Sequence, residues 1–245
     1  MARTIVYFAS DVHLGNRSAN HIDRQTRFVE FLRSINNENT LALYLLGDIW
    51  DFWYEWKSTV PKGYIKVFSA IVDLIDSGVK VYYTEGNHDI WAYGYFKELG
   101  MEYFPQPAFL EMGGKKFCLL HGDRICFTRA KYRFMEWLFR NRVIQWMFSN
   151  LIHPNLAMKL GNAMISNNHL ARMKPYVWKG ESEPLMQYAT QVASRSGIDY
   201  FIFGHLHVRV EETLPSGAKM FILESWVHGS AGMSFDTVSG ELKRL

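Results

Sequence analysis

The sequence predicts an α/β fold in which a β sandwich is flanked by helices. An apolar run over 41–46 stops at Gly47 and is followed at once by Asp48. A run of this length indicates a buried strand, and open α/β sheets keep their active sites at the carboxyl ends of such strands. Helical and strand patterns alternate early in the chain and strand patterns gather late, which favours a sandwich with helices outside it.

Five apolar runs each lead into oxygen- or nitrogen-bearing side chains. The other four cover 5–9, 79–84, 117–120 and 201–203. The polar residues that follow the five runs are Asp11 and His13; Asp48; Asn87, His88 and Asp89; His121 and Asp123; and His205 and His207. We therefore expect these side chains to meet at one edge of the sheet structure.

Helices and one hairpin are predicted between these runs. Gly113-Gly114 predicts a hairpin that joins 109–111 to 115–120. Three helices are expected near 28–35, 64–77 and 185–196, and the second places Ile65, Phe68, Val72 and Ile75 on one face.

The composition favours a soluble, cytoplasmic protein. With 48% hydrophobic residues, the chain 1–245 is expected to form one large domain. Cys118 and Cys126 are too few for a disulfide framework, and we expect free thiols in a reducing compartment. The first residues run directly into a strand without room for a signal peptide, and no apolar run approaches the roughly 18 residues of a membrane span.

The positive charge is concentrated in one segment. From Arg124 to Lys179 there are ten Lys or Arg and the single acid Glu136, a net charge of +9. The rest of the chain, with 17 basic and 23 acidic residues, carries −6. Such a patch predicts an anionic partner, which from charge alone is a lipid headgroup, a membrane surface, a nucleotide or a nucleic acid.

The strand-end residues predict a site for two metals. Asp11/His13 and His205/His207 are each two residues apart and can present two groups together. The seven candidate ligands suit two metals roughly 3.5–4 Å apart that share one carboxylate. We expect Asp48 to bridge them, with one metal bound by Asp11, His13 and His207 and the other by Asn87, His121 and His205.

Imidazole and oxygen ligands without thiolate favour Mn, Fe or Zn. Asp51, Asp89 and Asp123 lie beside the candidate ligands in the sequence. We expect each of them to orient a ligand rather than to bind a metal.

In order, the motifs are Asp-x-His, Gly-Asp-x-x-Asp, Gly-Asn-His-Asp, His-Gly-Asp and Gly-His-x-His, spanning residues 9–207. This series resembles the calcineurin-like metallophosphoesterase superfamily. The resemblance implies a four-layer α/β/β/α sandwich and a dimetal centre that hydrolyses phosphoesters. It also implies catalytic roles for Asn87 and for His88, which would either protonate the leaving group or stabilise developing charge.

The segment 124–180 is expected to be a helical insertion that selects the substrate. Its aromatic residues alternate with basic ones, a composition that suits an amphiphile with fatty chains and phosphates. The alternative is a helix pair whose aromatic residues pack into the core. The candidate substrate-binding residues are Arg129, Arg133, Trp137, Arg140, Arg142 and Trp146.

With this insertion after His-Gly-Asp, and with 48–53 and 141–146, the chain resembles the UDP-2,3-diacylglucosamine pyrophosphatases of lipid A synthesis. That resemblance implies cleavage of a diacylated nucleotide sugar to UMP and a lipid sugar phosphate, with Mn²⁺, at the cytoplasmic face of the inner membrane. Two positions depart from the family pattern. Well-known members carry Arg in place of His88, and acidic residues where this chain has 126–129.

Two other functions are consistent with the motifs. A generic nucleotide, nucleic-acid or lipid-linked phosphodiesterase would use the same ligands. The net negative charge outside the basic segment argues against nucleic acid as a partner. A non-catalytic protein-binding scaffold would leave buried carboxylates and imidazoles without metals, which is costly. The sequence leaves the oligomeric state open.

Overall fold

The computed structural model describes residues 2–15, 21–92, 94–126, 130–161, 163, 176–227, 229 and 231–245. The strands are β1 Ile5–Ala9, β2 Thr40–Leu46, β3 Lys80–Thr84, β4 Glu102–Tyr103, β5 Ala108–Met112, β6 Lys115–Leu120, β7 Tyr200–Phe203, β8 Val210–Thr213, β9 Lys219–Ile222, β10 Met233–Asp236 and β11 Leu242–Arg244. The helices are α1 His21–Ser34, α2 Ile65–Asp76, α3 Tyr95–Glu98, α4 Asp123–Cys126, α5 Ala130–Arg140, α6 Arg142–Leu151, a helical stretch over 154–161, the 3-10 turn Gly180–Ser182 and a final helix Pro184–Ser196.

The strands form two sheets. One has the order β11-β10-β1-β2-β3-β4 and the other the order β5-β6-β7-β9-β8. Strands β1 to β4 are parallel to one another, as are β6, β7 and β9. The chain passes from the first sheet to the second between β4 and β5, and returns between β9 and β10.

Alternation along the strands builds four layers. On β2, Leu43 and Leu45 belong to the core that contains α1 and α2, whereas Tyr44 and Leu46 belong to the core between the sheets. On the second sheet, the outward-facing residues of β6 and β7 pack against the final helix. Because successive strand residues face opposite sides, each central strand serves two cores. The architecture is therefore the expected α/β/β/α sandwich.

The apolar face predicted for α2 is only partly the face that is buried. Ile65 is 78% exposed, and Val72 and Ile75 are only partly buried. The buried residues of the helix are Val67, Phe68, Ala70, Ile71 and Leu74. Apolar residues cover more than one face of this helix, so its contact with the sheet, rather than periodicity, selects the face that is buried.

In the segment predicted to be an insertion, α5 and α6 are joined at Asn141. The Asn141 side chain accepts hydrogen bonds from the Val143 and Ile144 backbone amides at 2.9 and 3.2 Å. An asparagine in this position satisfies amides that have no partner within the helix. It therefore begins α6 directly after α5. We call α5 and α6 together the lid.

Candidate metal centre

The predicted motifs meet where the parallel strands end, and they do so in an unusual backbone conformation. Among the described residues, the non-glycine residues with positive φ are Asp11, His13, Asp48, His205 and His207, with φ from 51 to 73°. Such conformations are uncommon for residues other than glycine and cluster at functional sites. Each of these five residues is a predicted metal ligand.

Glycines in the motifs leave room for side chains from other motifs. A Cβ atom on Gly86 would lie 2.2 Å from Asp48 Oδ1, and one on Gly204 would lie 2.4 Å from Asp11 Oδ2. Both distances are shorter than a van der Waals contact allows. Gly86 and Gly204 therefore permit the carboxylates to approach the neighbouring strand ends.

Four of the predicted ligands form one compact group. Asp11, His13, Asp48 and His207 each offer a ligand atom, and these atoms lie within 4.8 Å of one another. His207 Nε2 is 3.1 Å from Asp11 Oδ1 and 2.9 Å from His13 Nε2. Atoms that each bind a cation at about 2.0–2.2 Å come this close to one another around it.

Asp51 orients His13. Its Oδ1 accepts a hydrogen bond from His13 Nδ1 at 3.0 Å, in a pair that is almost completely buried. With the proton on Nδ1, the neutral ring directs a lone pair from Nε2 into the cluster. A carboxylate that fixes a histidine tautomer in this way is a common partner of metal-binding histidines.

The other three predicted ligands are His121, His205 and Asn87. His121 Nε2 is 3.4 Å from Asp48 Oδ2, and the His121 and His205 rings are 5.2 Å apart between centroids. His121 Nδ1 donates to the Leu46 carbonyl at 2.9 Å, so a neutral His121 also presents a lone pair from Nε2. Asn87 follows β3 in the loop that packs against Asp48.

Several buried polar atoms in this cluster lack a hydrogen-bond partner. They are Asp11 Oδ1, Asn87 Oδ1 and His121 Nε2, all of which belong to predicted ligands. Buried polar atoms are normally hydrogen-bonded, because desolvation without a partner costs about 1–3 kcal/mol each. Divalent cations would satisfy these atoms, so the residues present fit the metals that the motifs predict.

The pKa shifts in the cluster show where positive charge is favourable. Burial alone would raise the pKa of Asp11, but the neighbouring His13 and His207 imidazoles hold it well below its usual range. Burial opposes the charged form of His13, yet Asp11 and Asp51 raise its pKa to about 9. Burial and the charge of His121 lower the pKa of His205 to about 3. The carboxylates thus create a strongly negative site, in which bound cations replace protons.

His88 lies at the edge of the cluster. Its Nδ1 is 2.9 Å from the Asp51 carbonyl, and its backbone amide donates to Asp48 Oδ1 at 2.9 Å. Its ring meets the His13 ring edge-on, with 4.9 Å between centroids. Because Nδ1 must donate to a carbonyl, a neutral His88 ring carries its proton on Nδ1.

Asp89 and Asp123 occupy different positions from Asp51. Asp89 accepts backbone hydrogen bonds from Gly86 at 2.7 Å and Ile49 at 2.9 Å, so it joins the loops that follow β2 and β3. Burial, followed by the charge of Asp48, raises its pKa. Asp123 is 1% exposed, its Oδ1 has no hydrogen-bond partner, and burial raises its pKa as well.

Arg24 and Ser225 hold ligand backbones in place, although no motif includes them. Arg24 is 1% exposed and donates to the His13 carbonyl at 3.0 Å, and Ser225 Oγ donates to the Asp11 carbonyl at 3.1 Å. Arg24 stands four residues before Phe28 on the buried face of α1. The position of Arg24 on an apolar helix face is a feature of the sequence that could have indicated a buried structural role. No feature of the sequence indicates the role of Ser225.

The lid contacts loops that follow β2 and β3. Arg140 donates to Glu85, one residue before Gly86, and its Nε donates to Glu136 at 3.1 Å. Tyr54 Oη donates to the Gln145 carbonyl at 2.7 Å, and Trp91 packs edge-on against Phe139. The lid is thus held by the loops that carry the predicted site residues.

Five of the six predicted substrate-binding residues line cavities at the lid, and Arg129 lies outside the described residues. Arg133, Trp137 and Arg140 line a cavity of about 340 Å³. Arg140, Arg142 and Trp146 line a second cavity of about 510 Å³, together with Glu85 and Ile90 on either side of the 86–89 loop. Trp137 and Trp146 are 59% and 61% exposed, so the core-packing alternative does not hold for these two.

Comparisons with known proteins agree with this centre. The family model of the calcineurin-like phosphoesterases matches residues 5–209. A Porphyromonas gingivalis protein named UDP-2,3-diacylglucosamine hydrolase is 32% identical over 92% of this chain and 91% of its own. A Stenotrophomonas maltophilia protein of the same name is 27% identical over 96% and 98%.

A solved structure shares the fold. A dimetal phosphatase from Danio rerio matches with a TM-score of 0.50 and 15% identity, over 95% of this chain and 92% of that one. Within the described part of the chain, no helix has the length and apolar character that crossing a bilayer requires. From the family match and the hydrolases that resemble it, the chain belongs to the calcineurin-like phosphoesterase family and is a metal-dependent hydrolase.

Proposed function

We propose that the protein hydrolyses the diphosphate of a UDP-diacylated glucosamine, releasing UMP and a lipid sugar 1-phosphate. The observation that carries this proposal is that Arg142 and Trp146 of the lid line one cavity together with Glu85 and Ile90, which flank the 86–89 loop of the metal centre. A phosphate-cleaving centre beside exposed tryptophans suits a substrate with a diphosphate and fatty chains. The names of the relatives support this substrate.

We assign two divalent metals to the centre, with Mn²⁺ preferred. Asp11, His13 and His207 would hold one, Asn87, His121 and His205 the other, and Asp48 would bridge them. When bound, such metals polarise the phosphate oxygens and activate water for in-line attack on phosphorus. The buried, unpaired oxygens of Asp11 and Asn87 support this assignment.

The chain's own residues then orient the reaction. Asp51 keeps His13 in the tautomer that binds a cation through Nε2. His88 presents Nε2 towards the substrate, where it protonates the leaving oxygen or stabilises its charge. A departing phosphate is already a good leaving group, so stabilising its negative charge suffices. A permanently charged side chain in place of His88 would stabilise that charge equally well.

The lid recognises the lipid part of the substrate. Trp137 and Trp146 offer apolar surface, and Arg133 and Arg142, both exposed, offer charge beside it. Arg140 is already bound to Glu85 and Glu136, so its main role is to hold the lid. The net charge of +9 over Arg124–Lys179 supports peripheral binding to an anionic membrane surface, at the cytoplasmic face of the inner membrane.

A single assay tests the activity. With added Mn²⁺, wild-type protein should hydrolyse the diacylated UDP-sugar far faster than UDP-glucose or a simple aryl phosphodiester. Preference for UDP-glucose or the aryl ester would instead favour a generic phosphodiesterase. No hydrolysis of any of them, in protein that contains its metals, would favour a binding scaffold.

Metal analysis tests the bridging residue. Wild-type protein should bind two equivalents of Mn²⁺, and Asp48→Asn should lower the affinity of both. A fully active protein with one stable metal would contradict the bridging role of Asp48.

A further inference from the structure

Gln106 lies where the chain passes from the first sheet to the second, between β4 and β5. Its side-chain amide spans two loops of the metal centre. Nε2 donates to the Glu85 carbonyl at 2.7 Å, and Oε1 accepts from the His121 backbone amide at 2.7 Å. One side chain therefore connects the segment after β3 with the residue after β6.

The orientation of this amide is determined by its partners. The Nε2 group of Gln106 faces the Glu85 carbonyl, and its Oε1 atom faces the His121 N–H. An amide flipped by 180° would therefore lose both hydrogen bonds. Both bonds are also at the short end of the normal range for N–H···O bonds. Gln106 is thus a bridge with one preferred geometry.

The two joined points belong to segments that carry ligands of the same proposed metal. Glu85 precedes Asn87 by two residues, and the other point is His121 itself. No strand ladder joins β3 to β6, because they belong to different sheets. Other hydrogen bonds also join the two sheets near the site, among them His121 Nδ1 to Leu46 O and His205 N to Asp11 Oδ2, and these two are made by proposed ligands.

We propose that Gln106 is a positioning residue that sets the separation of Asn87 and His121, and with it the affinity of the metal they share. The inference rests on the two-metal assignment of the proposed function. Gln106 acts through the Glu85 and His121 backbones, and neither metal nor substrate is its partner. Residues that orient ligands typically change metal affinity by about 10- to 100-fold when they are removed.

Gln106→Met tests this role, since it keeps most of the side-chain volume and removes both hydrogen bonds. Gln106→Glu keeps the acceptor for the His121 amide and removes the donor to Glu85. Gln25→Met is a matched control, because Gln25 is also partly buried and donates to a backbone carbonyl, that of Gly63, at 3.0 Å. Mn²⁺ titration calorimetry, electron paramagnetic resonance and thermal unfolding are measured for all four proteins.

Wild-type protein and Gln25→Met should show two Mn²⁺ binding events and the resonance signal of a coupled metal pair. Gln106→Met should weaken one event by about 10- to 100-fold and leave the other unchanged. At one to two equivalents, its coupled signal should give way to that of isolated Mn²⁺. Gln106→Glu should weaken the same binding event by less than Gln106→Met does. It carries the test alone if Gln106→Met does not fold.

Two results would overturn the inference. The first is an unchanged isotherm in both Gln106 variants. The second is equal weakening of both events together with a lower melting temperature, which indicates a general structural role. A wild-type protein that binds only one Mn²⁺ would instead overturn the two-metal assignment itself, and this inference with it.

Discussion

Replacing Trp137 and Trp146 by alanine separates substrate selection from phosphoester chemistry. Both side chains lie on the lid, each lines one of its two cavities, and they are 59% and 61% exposed. Neither is among the buried core residues, so their removal costs far less stability than the about 3–5 kcal/mol of a buried tryptophan. The double variant should therefore fold and bind its metals.

The expected loss follows from the area these rings offer. A large aromatic side chain presents up to about 250 Å², so about 150 Å² of each ring remains available to a fatty chain. At about 25 cal/mol per Å², covering all of that area is worth about 4 kcal/mol per ring. If a chain covers one face, the gain is about 2 kcal/mol per ring, and losing both rings costs about a thousandfold in affinity.

The assay compares kcat/KM for the diacylated UDP-sugar with that for a soluble aryl phosphodiester. The first should fall by about two to three orders of magnitude, since part of the contact area is lost to imperfect fit, and the second should barely change. Phe109→Ala is the control, because Phe109 is 54% exposed on β5, outside the lid. Metal content and melting temperature are measured alongside.

Two outcomes would refute the reasoning. If both activities and the melting temperature fall together, the tryptophans support the fold rather than the substrate. If neither activity falls, the fatty chains bind elsewhere, and the exposed rings lose their role in the preference for a lipid substrate.

Three further predictions concern charge around the site. His88→Gln should lower kcat by about a hundredfold, whereas His88→Arg should stay near the wild-type value if charge stabilisation is the role; equal loss in both, with metal content unchanged, would indicate a general acid. Binding to anionic vesicles should weaken steeply with salt, because exposed charges are screened within about 8 Å at physiological ionic strength; salt-independent binding to neutral vesicles would indicate hydrophobic insertion. Arg140→Met should remove the ion pair that joins the lid to Glu85 at a cost of about 1 kcal/mol, seen as about fivefold faster proteolysis of the lid, and unchanged proteolysis would show that this ion pair does not hold it.

The strands and the strand-end loops could be predicted because the signal is local. A buried strand requires a run of apolar residues, and the polar residues that follow it must lie at the sheet edge. From the order of the motifs, the ligands that follow strands of both sheets were expected to form one site. Asp11, His13, Asp48 and His207 do lie together, within 4.8 Å.

Features that depend on distant contacts could not be predicted. The positive φ of Asp11 and His13 is held by bonds from Arg24 and Ser225, and nothing local to either ligand indicates them. The buried face of α2 was predicted only in part for the same reason. Its apolar residues allow several faces, and only packing against the sheet selects one.

The aromatic residues of the lid divide into two classes that composition alone does not separate. Phe139 and Phe148 pack on Trp91, whereas Trp137 and Trp146 remain largely exposed. The sequence shows only that aromatic and basic residues alternate. Separating the two classes requires the surface on which the lid rests.

That surface consists of the loops that hold the metal centre. Glu85 binds the lid through its carboxylate and Gln106 through its carbonyl, two residues before Asn87. Trp91 follows Asp89 by two residues and donates to the lid at the Phe139 carbonyl, 2.6 Å away. The 86–89 loop is therefore held between two lid contacts, one at each end. Because the exposed lid residues make none of these contacts, they can change to suit another substrate while the ligand geometry stays fixed, which is how one metal centre can serve phosphoesters of different size.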